Sequence, residues 1–179
     1  MINDLQSMIQ GDKPAGQFTT LTCRSIRVGS YKILTKEKVH FTQKAIFLKV
    51  PYLTDPKKIV TIVIPSTDIL KIEMLSGRPM PLLFISTTPS TCERVRKDLN
   101  LQFKQHGFYF DWSSPDETMK RITMLPEKMP NEVKNVLTTL YGDLITELDS
   151  KLANEMLVKS TPKATAISYQ QMLQSQQHQ

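Results

Sequence analysis

Apolar and polar residues alternate along much of the first half of the chain, the pattern of β-strands with one buried face. Between Phe18 and Val28 the apolar positions change parity near Ser25, and a β-bulge near that residue would account for the slip. Gly29-Ser30 then predicts a tight turn into a second strand that begins at Tyr31. The start of the chain therefore predicts a hairpin.

Further strand candidates follow, and turn residues bound them. They are Ala45 to Val50, Ile59 to Ile64, Ile69 to Leu75, Leu82 to Ile85 and Met119 to Leu125. In the 59–64 segment apolar residues stand at both parities, so we expect this strand to be covered on both faces. The sequence predicts a sheet that wraps around its own core.

Two segments place apolar residues at helical spacing. Thr88-Pro89 supplies a capping residue followed by proline, which predicts a helix from about Pro89 to Gln102. A second apolar stripe, beginning after Pro130, predicts one long amphipathic helix. Its members are Val133, Val136, Leu137, Leu140, Leu144, Leu148 and Leu152. We expect the face carrying Leu140 to cap the sheet, and the later turns to offer a protein partner a helix surface formed by Leu148, Leu152 and Met156.

The order of these elements predicts an α+β fold. Antiparallel strands, a helix inserted before the last strand and a C-terminal capping amphipathic helix are typical of a pleckstrin-homology-like (PH-like) β-barrel, and a sandwich of the same elements is the alternative. A chain of 179 residues accommodates one such domain with tails. We expect a flexible leader over residues 1–17, a single domain over 18–158 and a disordered Gln-rich tail over 159–179.

Positive charge is concentrated in one part of the chain. Between Arg24 and Lys58 nine basic residues face two acidic ones, a local excess of seven in a chain whose net charge is +6. This excess indicates either the solvated face of a sheet, which we favour, or a site for nucleic acid or anionic lipid. The candidate anion-binding residues are Arg24, Arg27, Lys32, Lys57 and Lys58.

The sequence contains few of the residue patterns that catalysis requires. It has no phosphate-binding glycine loop, no nucleophile elbow and no His-Glu-x-x-His motif. Cys23 and Cys92 fall on apolar faces and are interpreted as buried, reduced thiols. Metal binding would need ligands that three dispersed histidines and two cysteines do not supply. We expect no enzymatic activity, no cofactor and no metal. A small hydrolase with an unrecognised site is the remaining enzymatic alternative.

The segment Ile59-Val60-Thr61-Ile62 fits the loose pattern of a SUMO-interacting motif, an extended segment that adds a strand to the edge of SUMO's sheet. Lys57-Lys58 precede it, where such motifs usually carry acids. We therefore favour a core strand over a docking motif. No apolar run is long enough to span a bilayer, and the N-terminus resembles no secretory signal, so we expect an intracellular protein, in the nucleus rather than the cytoplasm.

Three phrases in the sequence carry a family resemblance. They are the run from Leu21 to Ser30, the run from Ile64 to Glu73 and the run from Pro81 to Glu93. Together they resemble the non-catalytic region that precedes the protease domain in the larger sentrin/SUMO-specific proteases. That resemblance covers residues 18–145 and implies a PH-like accessory domain without the catalytic triad.

The resemblance implies a protein-interaction or regulatory module of the SUMO pathway, acting through a sheet edge or beside the C-terminal helix. Such a chain is either a piece of a protease or a stand-alone relative that keeps the accessory fold. A phosphoinositide- or nucleic-acid-binding domain that uses the basic segment 24–58 is the alternative function.

Overall fold

Two β-sheets facing one another form the frame of the protein in a computed structural model. The structure describes residues 17–35, 37–77, 80–101, 109–116 and 119–159. Within these residues the strands are β1 (Phe18–Leu21), β2 (Cys23–Val28), β3 (Tyr31–Ile33), β4 (Val39–Thr42), β5 (Ala45–Tyr52), β6 (Asp55–Pro65), β7 (Ile69–Leu75), β8 (Leu82–Thr87), β9 (Ile122–Pro126) and β10 (Ile145–Glu147). The helices are α1 (Pro89–Leu99), α2 (Asn131–Tyr141) and α3 (Ser150–Lys159).

The first sheet has the strand order β1-β4-β5-β6, and all of its pairs are antiparallel. Its edges are β1 and β6. Val39 and Phe41 of β4 point into the core, and the alternation of Val39-His40-Phe41-Thr42 was a strand signal that the sequence prediction did not include.

The second sheet has the order β10-β7-β8-β9-β2-β3. Its pairs are antiparallel except β10 with β7, which run parallel. The register of β2 against β9 shifts between Cys23 and Ser25. The predicted bulge near Ser25 is therefore confirmed.

The core fills the space between the sheets. Phe41, Ile46 and Ile62 of the first sheet and Ile26 and Met124 of the second are all buried in one apolar cluster. The sheets do not close into a barrel, so the sandwich alternative describes the architecture. The predicted α+β class is confirmed.

Helix α1 begins as the sequence predicts. The Thr88 hydroxyl accepts a hydrogen bond from the Thr91 amide at 3.4 Å, and Pro89 occupies the first turn. Asn100 ends the helix with a left-handed φ of 60°. Gln102, where the sequence prediction ended this helix, lies outside the described residues.

The C-terminal stripe does not form one helix, contrary to the prediction. Helix α2 ends at Tyr141, a 3-10 turn follows at Gly142–Leu144, and β10 then adds to the second sheet before α3 begins. Gly142-Asp143 is the helix-ending signal within the stripe. A second start signal follows, because the Asp149 carboxylate accepts a 2.7 Å hydrogen bond from the Leu152 amide.

The buried face of α2 is carried by Leu137 and Tyr141, whereas Leu140 is only partly buried against the core. The Tyr141 hydroxyl donates a hydrogen bond to the Thr42 carbonyl, and its ring meets Phe41 edge to face at 6.4 Å between centroids. Helix α2 thus packs on the first sheet and closes one end of the sandwich.

None of the described helices is both long and apolar enough to cross a membrane. The expected leader over residues 1–17 and tail over 159–179 lie, apart from Gln17 and Lys159, outside the described residues.

Candidate interaction surface

The two cysteines are buried within the core. Burial raises the pKa of both Cys23 and Cys92 to about 12, so each thiol stays protonated near neutral pH. A protonated, enclosed thiol is a poor nucleophile. Across the described segments, no three His, Cys, Asp or Glu side chains are grouped so that they could hold a metal ion.

The candidate anion-binding residues are divided between the two sheets. Arg27 and Lys32 face each other across β2 and β3, at one edge of the second sheet, with Arg24 at the β2 bulge. Lys57 and Lys58 lie on β6 of the first sheet. Arg27 is only 6% exposed, and this burial lowers its pKa. The five residues do not form one surface cluster on a hairpin.

The expected partner-binding helix surface is largely occupied by the protein itself. Leu148 and Met156 pack with Ala153 against Leu75, Leu82 and Phe84 on the outer face of the second sheet. Leu152, the remaining member, is 43% exposed. Of the three residues, Leu148 and Met156 are therefore buried where the end of the helical stripe packs onto the second sheet, and the partner-binding role of this helix stays a prediction.

Strand β6 is the most extensive edge among the described strands. It is an eleven-residue strand that pairs with β5 on one side, whereas the edge strands β3 and β10 of the second sheet have three residues each. Ile59 is 51% exposed and Thr61 is exposed. Ile62 and Ile64, nearer the C-terminal end of the strand, are buried. The first half of β6 thus reaches the solvent.

The direction of the backbone groups along β6 follows from two hydrogen bonds. The Ser66 amide points toward the first sheet, where it donates to the Lys44 carbonyl at 2.8 Å. The Val63 carbonyl points the other way and accepts from the Arg94 guanidinium of α1 at 2.6 Å. The backbone N–H and C=O groups of successive residues point to opposite sides of a strand. Those of Ile59 and Thr61 therefore point outward, as those of Val63 do.

Arg94 occupies the outward edge of β6 at Val63, but not the rest of that edge. The arginine is also 3.8 Å from Asp98, which holds the guanidinium on the helix side. Toward the start of β6 the exposed residues Ile59 and Thr61 remain. The open stretch, defined here as Ile59–Thr61 and called the β6 edge, presents two outward-directed residues.

Lysines flank the β6 edge on its N-terminal side. Pro51 pairs with Ile59 and Tyr52 with Asp55, so the three intervening residues of β6, which include Lys57 and Lys58, bulge out of the ladder. The Lys58 ammonium lies 4.7 Å from the centre of the Tyr52 ring. The bulge therefore places two exposed cations beside the open backbone groups.

Helix α1 fixes the hairpin that carries this edge. The Leu53 amide in the β5–β6 turn donates to the Leu99 carbonyl at 3.2 Å, and the Asn100 side chain donates to the Thr54 hydroxyl at 3.2 Å. These bonds tie the turn to the C-terminus of α1.

A shallow cleft of about 350 Å³ lies at the same end of α1. It is lined by Glu93, Arg96, Lys97, Asn100 and Leu101. Arg96 stacks 4.6 Å over the Tyr109 ring and donates to the Phe110 carbonyl at 3.2 Å. Sequence reasoning did not identify this cleft, although all of its lining residues lie on α1 or just past its C-terminus.

The SUMO-interacting pattern at residues 59–62 falls on this edge. Ile62 is buried and Val60 is partly buried against the core, so these two side chains belong to the domain's interior. Ile59 and Thr61 are the exposed alternates. One face of the segment packs into the core, and the side chains of Ile59 and Thr61 on the other face are exposed.

A family model described as the SENP6/SENP7 PH-like domain matches residues 18–166. Among curated proteins, none gives a significant match. A solved structure titled "Synaptonemal complex protein" aligns with 16% sequence identity and a TM-score of 0.40 over 80% of this chain. The alignment covers 32% of that structure's chain.

Proposed function

Because the chain belongs to the SENP6/SENP7 PH-like domain family, we propose that it is a non-catalytic protein-interaction module of the SUMO pathway and that its docking site is the β6 edge. The observation that supports this most strongly is the long edge strand with exposed, outward-directed residues at Ile59 and Thr61. Such an edge binds an extended peptide by adding a strand through main-chain hydrogen bonds.

The charges around the β6 edge favour an acidic partner. Lys57 and Lys58 stand at one end of the β6 edge, and Lys49 lies opposite Thr61 on β5. A peptide with acidic residues beside a short apolar run would complement this arrangement. The proposed occupant is therefore an extended acidic segment of a SUMO-pathway protein, with an apolar side chain beside exposed Ile59.

Lysines and bulges on edge strands also protect sheets from unwanted pairing, and this role competes with docking. The two roles differ in outcome. A protective edge rejects every extended peptide, whereas a docking edge accepts an acidic peptide and rejects a basic one.

The direct test uses a short synthetic peptide with a run of valines flanked by glutamates, called here the probe peptide. Titration should show binding that weakens with salt, because charge pairs near the surface are screened. A peptide in which lysines replace the glutamates is the matched control. Equal binding of both peptides, or of neither, would contradict the proposal.

Two proline variants separate docking from stability. Thr61→Pro removes an outward-directed amide, which an edge strand tolerates, and should weaken probe-peptide binding at least about tenfold, or 1.4 kcal/mol. Val60→Pro removes an amide directed toward β5 and should lower the melting temperature. If Thr61→Pro unfolded the domain as Val60→Pro does, the outward direction of Thr61 would be wrong.

The alternative function, binding of nucleic acid or anionic lipid, predicts a different set of sensitive residues. Vesicles containing phosphoinositides and a short DNA duplex serve as probes. Under that function Arg24→Glu and Lys32→Glu would abolish binding to them. Under the function proposed here these two changes leave probe-peptide binding intact, because both residues lie on the second sheet.

A further inference from the structure

Strand β7 contains the sequence Leu70-Lys71-Ile72-Glu73. An apolar residue, a lysine, any residue and an acid, in that order, form the acceptor pattern that SUMO-conjugating enzymes recognise in their substrates. No other lysine in the sequence has an acidic residue two positions after it. A four-residue pattern is a weak signal by itself, so its placement in the fold decides what it can do.

The structure exposes the first half of this pattern. Ile69 pairs with Thr87 and Lys71 with Ser86, so the register shifts and Leu70 bulges out of the β7–β8 ladder. Leu70 is 58% exposed. The Lys71 side chain is 57% exposed. The apolar residue and the acceptor lysine both reach the solvent.

On the other side of β7, the ladder with β10 begins just past the acceptor position, and the 3-10 turn Gly142–Leu144 precedes it. Strand β10 pairs with β7 from Ile72 to Met74, and neither Leu70 nor Lys71 is within that paired range. The backbone around Lys71 is extended, as a segment laid into an enzyme groove must be. The bulge on the β8 side therefore accompanies the exposure of the Lys71 side chain.

The acid of the pattern lies beside the lysine. The Lys71 ammonium is 3.2 Å from the Glu73 carboxylate, so both groups occupy the same face of the strand. An exposed lysine paired with a neighbouring acid is in itself an ordinary surface feature. What distinguishes this one is the adjoining exposed leucine at a bulge, which neither pairs with β8 nor contributes to the core.

We propose that Lys71 is an acceptor site for covalent attachment of a SUMO-type modifier. The ammonium first gives a proton to solvent, and the neutral amine attacks the thioester that joins the modifier's C-terminal carbonyl to the conjugating enzyme's cysteine. The carbon–nitrogen isopeptide bond forms as the nitrogen loses a second proton to solvent, the carbon–sulfur bond breaks, and the enzyme's cysteine leaves as a thiolate. Leu70 provides the apolar contact with the enzyme, and Glu73, whose side chain is only 16% exposed, holds the Lys71 ammonium at the acceptor position.

The test is a reconstituted conjugation reaction with the full chain, the activating and conjugating enzymes, SUMO and ATP. The expected product is a single conjugate whose branched peptide, identified by mass spectrometry, maps to Lys71. Lys71→Arg keeps the charge and should reduce the product at least about tenfold. Lys44→Arg, at an exposed lysine in the β4–β5 turn without the pattern, is the matched control and should leave the yield unchanged.

Two further variants test the recognition residues. Glu73→Gln preserves shape and Leu70→Ala removes an exposed side chain, so both should keep the melting temperature while lowering the yield several-fold. Absence of any conjugate, or a conjugate undiminished in Lys71→Arg, would overturn the proposal. Neither outcome bears on the β6 edge, because Lys71 lies on the second sheet and the probe-peptide titration needs no modification.

Discussion

Gly29 shows how strictly one residue can be determined by its place in the fold. It has a φ of +58° in the turn between β2 and β3, and a β-carbon built there would lie 2.1 Å from the Tyr109 carbonyl oxygen. The Gly29 amide also donates to the Arg121 carbonyl at 3.0 Å. The sequence alone predicted the turn at Gly29-Ser30, but the close approach of residue 109 depends on the folded chain.

Gly29→Ala should therefore destabilise the domain by more than about 1–2 kcal/mol, the cost of a left-handed conformation alone, because the clash adds to it. Gly77→Ala is the control, since a β-carbon at Gly77 meets nothing within 4 Å and its change should stay within about 0.5 kcal/mol. Urea unfolding of both variants measures the difference. Equal losses would show that the turn is not constrained as described.

The buried thiols predict a loss of stability in alkaline solution. Cys23 and Cys92 have a pKa of about 12 when folded, above the ordinary value of 9.0. The unfolded chain therefore loses these protons first, so their contribution is complete below about pH 9 and declines as the pH rises toward 12. Tyr141, whose pKa burial also raises, acts in the same direction.

The measurement is the guanidinium unfolding midpoint at about pH 8 and about pH 10.5, in the wild type and in the Cys23→Ala/Cys92→Ala double variant. The midpoint should fall in both proteins, and less in the variant. Alkylation of either native thiol at about pH 8 as fast as free cysteine would contradict the burial and its effect on the pKa.

At the scale of elements, α2 shows what periodicity can and cannot specify. The apolar stripe predicted the helix and its amphipathic character, and it predicted that Leu140 faces the core. In the structure Leu137 and Tyr141 are the buried residues of α2, and Leu140 is partly buried against the core. The Tyr141 hydrogen bond to β4 sets the rotation of the helix. A bond between residues 99 positions apart leaves no trace in a local pattern.

Leu137→Ala should cost about 2–5 kcal/mol, as expected when a fully buried leucine leaves a cavity. Leu140→Ala, at a partly buried position of the same helix, should cost clearly less. Thermal melts of the two variants provide the comparison. A larger loss of stability for Leu140→Ala than for Leu137→Ala would show that Leu140 is the more buried of the two residues, contrary to this structure.

At the scale of the whole molecule, most of the strands (but not β4 or β10), the bulge near Ser25, helix α1 and the α+β class could be predicted from the sequence, since each depends on local periodicity and turn chemistry. The division into two sheets and the open side of β6 could not. Both depend on which strands pair, and pairing joins residues far apart in the chain. The basic segment likewise indicated charge but not its division between the sheets.

The domain type predicts that the chain by itself does not cleave SUMO chains, because both cysteines are enclosed and protonated near neutral pH. Incubation with SUMO chains, followed by gel electrophoresis, should show no products above those of a Cys23→Ala/Cys92→Ala control. Cleavage that requires Cys92 would overturn the assignment as a non-catalytic module.

Hydrogen exchange along β6, followed by NMR in the isolated domain and then with the probe peptide, tests the central claim most directly. In the free domain the amides of Val60 and Ile62 should exchange slowly and those of Ile59 and Thr61 quickly, because the first pair faces β5 and the second faces outward. Adding the probe peptide should slow exchange at Ile59 and Thr61 while leaving β3 unchanged. Slow exchange at Thr61 before any peptide is added, or peptide-induced protection at β3 in its place, would contradict the account.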